Sequence, residues 1–241
     1  MNRPRVKIVY LFHSGYAVEI GERLFIFDYF QPEPMPEGNL TDGVITTEYL
    51  KTKSKIYVLV SHNHPDHYDS MILEWAKSIP DITYIISSDV QIDGKHCKIM
   101  NPYEEWQQDG VGVKTFGSTD EGLSFLVEVD GLKIFHAGDL NWWHWKGDTK
   151  ANQERAEAMF KAEVDKIASQ AIDIVFFPVD QRLEEFYCIG AEYFAAKLHP
   201  ALLVPMHFGD VLGTTKAFAE KMKNTSLVTV EITHRGQTIF F

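Results

Sequence analysis

The feature that most constrains this chain is the segment 61–68, which places three histidines and an aspartate within six residues. They are His62, His64, Asp66 and His67, in the spacing His-x-His-x-Asp-His. Neutral imidazole is the commonest metal ligand in proteins, and histidine combined with carboxylate suits zinc or a similar divalent ion. The segment therefore predicts a metal site, and the fold has to place these four side chains together.

The sequence around this motif indicates where in a fold it lies. Residues 56–60 (Ile-Tyr-Val-Leu-Val) are an unbroken apolar run that predicts a buried strand, and residues 68–78 carry apolar side chains at helical spacing. The motif then lies between the carboxyl end of a strand and a helix, where open α/β sheets place their sites. The alternative is a set of solvent-facing loop histidines with Asp66 capping the helix. Three histidines so close together at a strand end disfavour it.

Strand and helix patterns follow each other along the rest of the chain. Further strands are predicted at residues 6–12, 16–20, 24–28, 82–87, 97–100, 111–117, 123–130, 132–136, 172–179, 202–208, 227–230 and 238–240, and helices at 149–170, 191–198 and 215–223. Strands first, interspersed helices, strands again and then helices indicate a mixed α and β fold with two sheets.

The spacing of His62, His64, Asp66 and His67 resembles the metal-binding signature of the metallo-β-lactamase fold superfamily. The resemblance implies an α+β fold, a four-layer αββα sandwich of two sheets with helices outside. It also implies that the first two histidines bind one metal ion and that the Asp-His pair binds a second. The name of the superfamily is historical, since most members are not lactamases.

The same resemblance implies two more ligands. Asp139 follows the predicted strand 132–136 in a His-Ala-Gly-Asp stretch, which resembles the position of the aspartate that bridges both metals. His207 stands in Pro-Met-His and resembles the final ligand of the superfamily, carried near the C-terminus. Without the resemblance, Asp139 is a turn residue and His207 a strand-end histidine packed under a loop.

One position departs from the superfamily's pattern. Most of its metallo-hydrolases carry another histidine in a Gly-His-Thr/Ser stretch, and the matching residues 116–120 have Ser118 in its place. His62 and His64 then remain as terminal ligands of the first metal, with Asp139 able to bridge to it. Either another residue replaces the missing ligand, or the first metal binds weakly, or the site holds a single metal. The candidate replacements are Asp120, His13, His136 and His144.

Composition sets limits on compartment and partners. The 241 residues, 45% apolar and 24% charged, are compatible with a single domain over residues 1–241. The formal net charge of -11 disfavours a nucleic-acid partner. No stretch approaches the roughly 20 apolar residues of a membrane span, and the apolar run 8–12 is too short for a signal peptide. We therefore expect a cytoplasmic protein that acts without nucleic acid or membrane.

The chemistry that these residues favour is metal-dependent hydrolysis. A divalent metal lowers the pKa of bound water from about 15.7 towards about 7, so that hydroxide forms at neutral pH. Asp66 is the catalytic candidate, because it would hold the second metal and orient the water. We expect one or two ions, with Zn²⁺ favoured and Mn²⁺ or Fe²⁺ as alternatives. Candidate substrate contacts are His13, Ser118 and Arg182.

The expected substrate is a small molecule. The layout resembles that of small cytoplasmic hydrolases related to ascorbate-6-phosphate lactonase, which implies an ester, lactone or phosphodiester of a small metabolite. Two alternatives remain: a metal-binding protein without turnover, and a metal-dependent oxidoreductase of the same fold. Flavodiiron oxidoreductases carry glutamate at the position of His64. The aromatic stretch 142–145 is open to three interpretations, namely pocket wall, self-association surface or core.

Overall fold

The computed structural model describes residues 4–92 and 96–241. The chain divides into two compact units. Unit 1 comprises the chain up to Met100 together with Ile232–Phe241, and unit 2 comprises Asn101–Glu231. The single domain over residues 1–241 stays a prediction.

Unit 1, within its described residues, contains one seven-stranded sheet in the order β13-β1-β2-β3-β4-β5-β6. The strands are β1 (Val6–Phe12), β2 (Gly15–Ile20), β3 (Arg23–Phe27), β4 (Lys55–Val60), β5 (Ile82–Ser87), β6 (Cys97–Met100) and β13 (Thr238–Phe240). β2 pairs antiparallel with β1 and with β3, while β4 pairs parallel with β3 and with β5. β1, β3 and β4 therefore run in the same direction, and their carboxyl ends lie at one edge of the sheet.

The segment after the histidine motif packs on this sheet. It forms a 3₁₀ helix, Ser70–Lys77, and begins where the Asp69 side chain accepts a hydrogen bond from the backbone N–H of Met71 at 2.9 Å. Ile72 and Trp75 are buried in the core of unit 1 together with side chains of β1, β3, β4 and β5. The predicted helix therefore exists, in the tighter 3₁₀ form. Unit 1 also contains the short α-helix α1 (Thr47–Leu50) and the 3₁₀ helix Leu40–Asp42.

Unit 2, within Asn101–Glu231, contains a six-stranded sheet in the order β12-β11-β10-β9-β8-β7. Its strands are β7 (Glu105–Gln108), β8 (Val111–Phe116), β9 (Ser124–Val129), β10 (Leu132–His136), β11 (Ile174–Pro178) and β12 (Leu202–Met206). β10, β11 and β12 are parallel, and β9 pairs antiparallel with both β8 and β10. β8, β10, β11 and β12 consequently end at the same edge.

The helices of unit 2 are α2 (Lys150–Ile167), α3 (Ile189–Leu198), α4 (Gly213–Met222) and the 3₁₀ segment Gln181–Phe186. Phe160, Val164 and Ile167 form the buried side of α2, as its apolar spacing predicts. None of the helices in the described ranges is both long enough and apolar enough to cross a membrane.

One strand predicted in unit 2 is absent, and one strand of unit 2 was not predicted. Residues 227–230 do not form a strand, because Thr229 makes only a single parallel bridge with Leu203. β7 was missed, because its sequence Glu-Trp-Gln-Gln is polar and it lies at the edge of the sheet, next to β8. Edge strands commonly carry polar side chains, and such a sequence has no apolar alternation to identify it.

Candidate functional site

Chemically reactive side chains follow three strands of unit 1 at the edge where these strands end. His13 comes directly after β1, Asp28 directly after β3, and the motif from His62 to His67 directly after β4. Since these carboxyl ends share one edge, residues far apart in sequence meet there. The structure therefore brings the four predicted ligands of the motif together with His13 and Asp28.

The two histidines of the His-x-His pair present their ring nitrogens to each other. His62 Nε2 lies 3.0 Å from His64 Nδ1, and the ring of His67 lies 4.1 Å from the ring of His62. Two donors that share one metal at about 2.0–2.2 Å lie roughly 3–3.6 Å apart. His62 and His67 are fully buried, while His64 is half-buried. The donor set fits a divalent metal.

Asp28 orients two of these histidines. Its buried carboxylate accepts hydrogen bonds from the Ser61 backbone N–H at 2.8 Å, the Ser61 hydroxyl at 2.7 Å and His67 Nδ1 at 2.7 Å. Because the Ser61 hydroxyl donates to Asp28, its oxygen accepts from His62 Nδ1, which lies 2.9 Å away. Both imidazoles then carry their proton on Nδ1 and present an unprotonated Nε2, the form that binds metal.

A second set of side chains lies at the strand ends of unit 2. Asp139 follows β10, Asp180 follows β11 and His207 follows β12, and Ser118 is two residues beyond the end of β8. Asp139, Asp180 and His207 are buried. The structure thus brings the predicted ligands Asp139 and His207 to one edge of this sheet, and it adds Asp180, which the sequence did not single out.

His207 lies between two carboxylates. Its Nε2 is 3.2 Å from Asp139 Oδ1, and its Nδ1 is 3.1 Å from Asp180 Oδ2. Burial alone would lower the pKa of His207, but the carboxylates of Asp139 and Asp180 outweigh it and raise the pKa to about 10. The backbone of His207 has φ +65°, a region that residues other than glycine rarely adopt and that often marks functional positions.

Asp180 contacts the Nδ1 of His207 in the same way as Asp28 contacts the Nδ1 of His67. Burial would raise the pKa of Asp180, yet its hydrogen bonds to His207 and Arg182 hold that pKa well below its usual range. Arg182 Nε lies 3.0 Å and 2.9 Å from the two carboxylate oxygens. A metal bound at Nε2 would displace the proton there, while the Asp180 carboxylate keeps the remaining proton on Nδ1. In the sequence, Asp180 could have been identified as an acidic residue that follows a predicted buried strand.

The Ser118 segment is fixed to the segment that carries Asp139. The Thr119 hydroxyl donates to the Asn141 carbonyl at 2.6 Å, and its oxygen accepts from the Asn141 backbone N–H at 2.9 Å. The Glu163 side chain, buried in α2, accepts from the backbone N–H of Gly117 at 2.7 Å. Ser118 is therefore held by bonds on both of its sides, in a loop at the same edge as Asp139.

Of the four candidate replacements for the missing histidine, only His13 lies close to other possible metal ligands among the described residues. Asp120 is exposed, and the Nδ1 of His136 accepts from the backbone N–H of Gly138 at 3.2 Å inside unit 2. Within residues 4–92 and 96–241, no cluster of three or more possible ligand atoms includes Asp120, His136 or His144. His13 differs, because its ligand atom lies within 4.8 Å of those of Asp66 and His67.

The aromatic stretch serves more than one of the three purposes considered. Trp143 Nε1 donates to the Asp139 carbonyl at 3.0 Å, and its ring lies edge-on to His207 at 5.4 Å. Trp145 stacks on Trp143 at 6.0 Å and is 38% exposed. Trp142 instead packs against Phe160 of α2. The stretch is therefore partly core and partly a wall beside His207.

Comparisons with known proteins agree with this geometry. A family model described as a beta-lactamase superfamily domain matches residues 7–207. A protein from Alkaliphilus metalliredigens named as a metal-dependent hydrolase is 24% identical over 241 residues, covering 92% of this chain and 95% of that protein. The solved structure of Igni18, a metallo hydrolase from Ignicoccus hospitalis, matches with a TM-score of 0.70 and 21% identity over 98% of both chains.

A further solved structure, CmlA, is a diiron β-hydroxylase from Streptomyces venezuelae. It matches with a TM-score of 0.65 and 12% identity, over 100% of this chain and 54% of CmlA. At such identities the solved structures show a shared fold. They confirm the predicted fold class, α+β with two sheets.

Proposed function

This chain belongs to the beta-lactamase superfamily, and from that membership we propose that it is a metal-dependent hydrolase of a small-molecule ester, lactone or phosphodiester. The observation that carries the proposal is the pair of histidines whose Nδ1 atoms are held by buried carboxylates, His67 by Asp28 and His207 by Asp180. Such carboxylate–histidine pairs are the usual support of catalytic metal ligands. The proposed ligands of one shared centre are His62, His64, Asp66, His67, Asp139 and His207.

The residues of this chain have separate tasks in the proposed reaction. A bound divalent metal supplies a water of lowered pKa and a Lewis acid for the substrate oxygen. Asp66, whose side chain is 46% exposed, would hold the second metal and orient the attacking water. Asp28 keeps His62 and His67 in the tautomer that binds metal. Zn²⁺ suits this donor set, with Mn²⁺ and Fe²⁺ as the alternatives to test.

The proposed substrate is small and contacts the aromatic side chains of Trp143 and Trp145 beside His207. Trp143 presents an aromatic edge there, and the guanidinium of Arg182 lies over the ring of Trp145 at 5.9 Å. Arg182 remains 58% exposed while it binds Asp180, so its outer N–H groups can donate to an anionic oxygen of the substrate. The net charge of -11 argues against nucleic acid as the substrate.

The proposal is tested by removing metal and restoring it. Protein stripped with a chelator should lose hydrolysis of p-nitrophenyl esters, lactones and bis-p-nitrophenyl phosphate, and should regain it with Zn²⁺, Mn²⁺ or Fe²⁺. Restored turnover of any of these substrates supports the hydrolase. Tight metal binding with no turnover of any of them would identify a metal-binding protein instead. Oxygen consumption by the Fe²⁺-loaded protein would favour the oxidoreductase alternative.

Ser118→His should raise the affinity of the more weakly bound metal. The proposed first metal has two imidazoles, His62 and His64, and shares Asp139, whereas the second has Asp66, His67 and His207 in addition to Asp139. A third imidazole on the first metal should increase the zinc affinity of that position by about tenfold or more. A group that only orients a metal ligand already contributes about 10–100-fold to metal affinity. Zinc titration of the metal-free proteins against a chromophoric chelator measures this change.

Asp120→Ala is the matched control for this titration. Asp120 is the neighbouring exposed carboxylate and belongs to no ligand cluster of the described residues, so its loss should leave both affinities unchanged. Two equally tight equivalents in the wild-type protein, reduced to one in Asp120→Ala, would show that Asp120 already replaces the histidine.

A further inference from the structure

His13 occupies a position where a histidine is conformationally costly. It is the first residue of the two-residue connection between β1 and β2, and its φ is +52°. Two-residue hairpin loops with positive φ at this position favour glycine, because a side chain crowds the backbone there. Strained residues of this kind cluster at active sites and ligand contacts.

The surrounding chain is built to hold His13 in this place. The backbone N–H of His13 donates to the Tyr10 hydroxyl at 3.0 Å. Two residues on, Gly15 approaches the strand-end residue Asp28 so closely that a Cβ would lie 2.9 Å from the Asp28 carbonyl oxygen. A larger residue at position 15 would therefore push the hairpin away from Asp28. The connection is therefore packed closely against the backbone of Asp28, the residue whose carboxylate orients His67.

The imidazole of His13 faces the Asp-His pair of the motif. Its ring lies edge-on to the His67 ring, with centroids 5.4 Å apart, and its Nε2 lies 3.4 Å from Asp66 Oδ2. The ligand atoms of His13, Asp66 and His67 all lie within 4.8 Å of one another. Two donors that share one metal at about 2.0–2.2 Å lie roughly 3–3.6 Å apart, so the 3.4 Å separation suits two ligands of one ion.

A plain ion pair explains this arrangement less well. The Asp66 side chain is 46% exposed, and pairs with such exposed partners contribute little to stability. An interaction of that size does not account for a histidine at φ +52°, where glycine or asparagine would avoid the strain. A ligand bond to a metal does account for it.

We propose that His13 is a ligand of the metal ion that Asp66 and His67 hold, so that unit 1 alone supplies three ligands to this ion. The inference rests on the proposed function, and it assigns His13 to the coordination of the metal instead of to the substrate. His13 then adds a ligand to the second metal and does not replace the ligand that the first metal lacks at Ser118.

His13→Gly tests the inference, because glycine adopts φ +52° without strain. The metal-free variant should melt near the wild-type temperature, because the relief of backbone strain offsets the packing lost with the buried His13 ring. In the same protein, the affinity of the tighter zinc equivalent should fall by about tenfold or more. The visible absorption spectrum of the Co²⁺-loaded protein should change as well, because one imidazole has left the ion. His13→Asn, which also tolerates a positive φ, provides a second variant of the same kind.

His199→Gly is the matched control. His199 also has a positive φ, +50°, but it is an exposed residue at the end of α3 and belongs to no ligand cluster of the described residues. Its replacement should relieve the same strain and leave zinc affinity and the Co²⁺ spectrum unchanged. Wild-type affinity and an unchanged spectrum in both His13 variants would overturn the inference while leaving the proposed function standing. A wild-type protein that binds no divalent metal would overturn both.

Discussion

Asp66→Ala is expected to abolish hydrolysis and to leave the fold intact. The Asp66 carboxylate lies in the turn after β4, with its side chain 46% exposed, so little packing is lost when it is removed. Its proposed tasks are to hold the second metal and to orient the attacking water. Loss of a group that orients a metal ligand typically lowers activity by about 10–100-fold. Loss of a ligand in direct contact with the metal should therefore lower kcat/KM by at least about a hundredfold. Steady-state assays and metal analysis of the same preparation measure both effects.

Asp81→Ala is a suitable control for that variant. Asp81 is an exposed carboxylate of unit 1 that pairs with Lys55 at 3.1 Å, and such surface pairs contribute little to stability. Its removal should leave turnover, metal content and thermal unfolding at wild-type values. Wild-type turnover in Asp66→Ala, with metal still bound, would refute the role given to Asp66.

Asp28→Ala is expected to cause the largest loss of stability together with loss of metal. The carboxylate is fully buried and accepts three hydrogen bonds, from the Ser61 backbone, the Ser61 hydroxyl and His67. Each buried donor left without an acceptor costs about 1–3 kcal/mol, so the free energy of unfolding should fall by about 3 kcal/mol or more. Urea unfolding of the metal-free protein measures this term separately from metal binding.

Asp28→Asn separates orientation from packing. The amide has nearly the same shape and keeps one acceptor, so the loss of stability should be much smaller than in Asp28→Ala. Its NH₂ group cannot accept from His67 Nδ1, and the imidazole then moves its proton to Nε2 to compensate. Zinc affinity should fall by about 10–100-fold, as for other groups that orient metal ligands. Wild-type zinc affinity in this variant would show that Asp28 does not set the tautomer of His67.

The features of this molecule that could be predicted from the sequence are those that depend on neighbouring residues alone. The apolar run before His62 predicted β4, which the structure contains, and the spacing of His62, His64, Asp66 and His67 predicts a metal site at its carboxyl end. Asp139 and His207 came from a family resemblance, because nothing in their own neighbourhood distinguishes them from turn residues.

The roles of Asp28 and Asp180 as supports of histidines were not predicted, for a physical reason. Asp28 precedes His67 by 39 positions, and Asp180 precedes His207 by 27, so each pair exists only once parallel strands align. A sequence pattern with period two or 3.6 reports which face of an element is buried, and it carries no information on which strand ends become neighbours. Parallel pairing of β3 with β4, and of β11 with β12, supplies that information.

We propose that His67 and His207, which are far apart in the sequence, bind the same metal centre. Zinc titration of the metal-free His67→Ala, His207→Ala and doubly substituted proteins tests it most directly, with the wild-type protein measured in parallel. If both histidines bind one ion, each single variant should lose the same tight equivalent, and the double variant should lose little more than either one. Full retention of both equivalents in His207→Ala, or additive losses from two separate sites in the double variant, would contradict a shared centre.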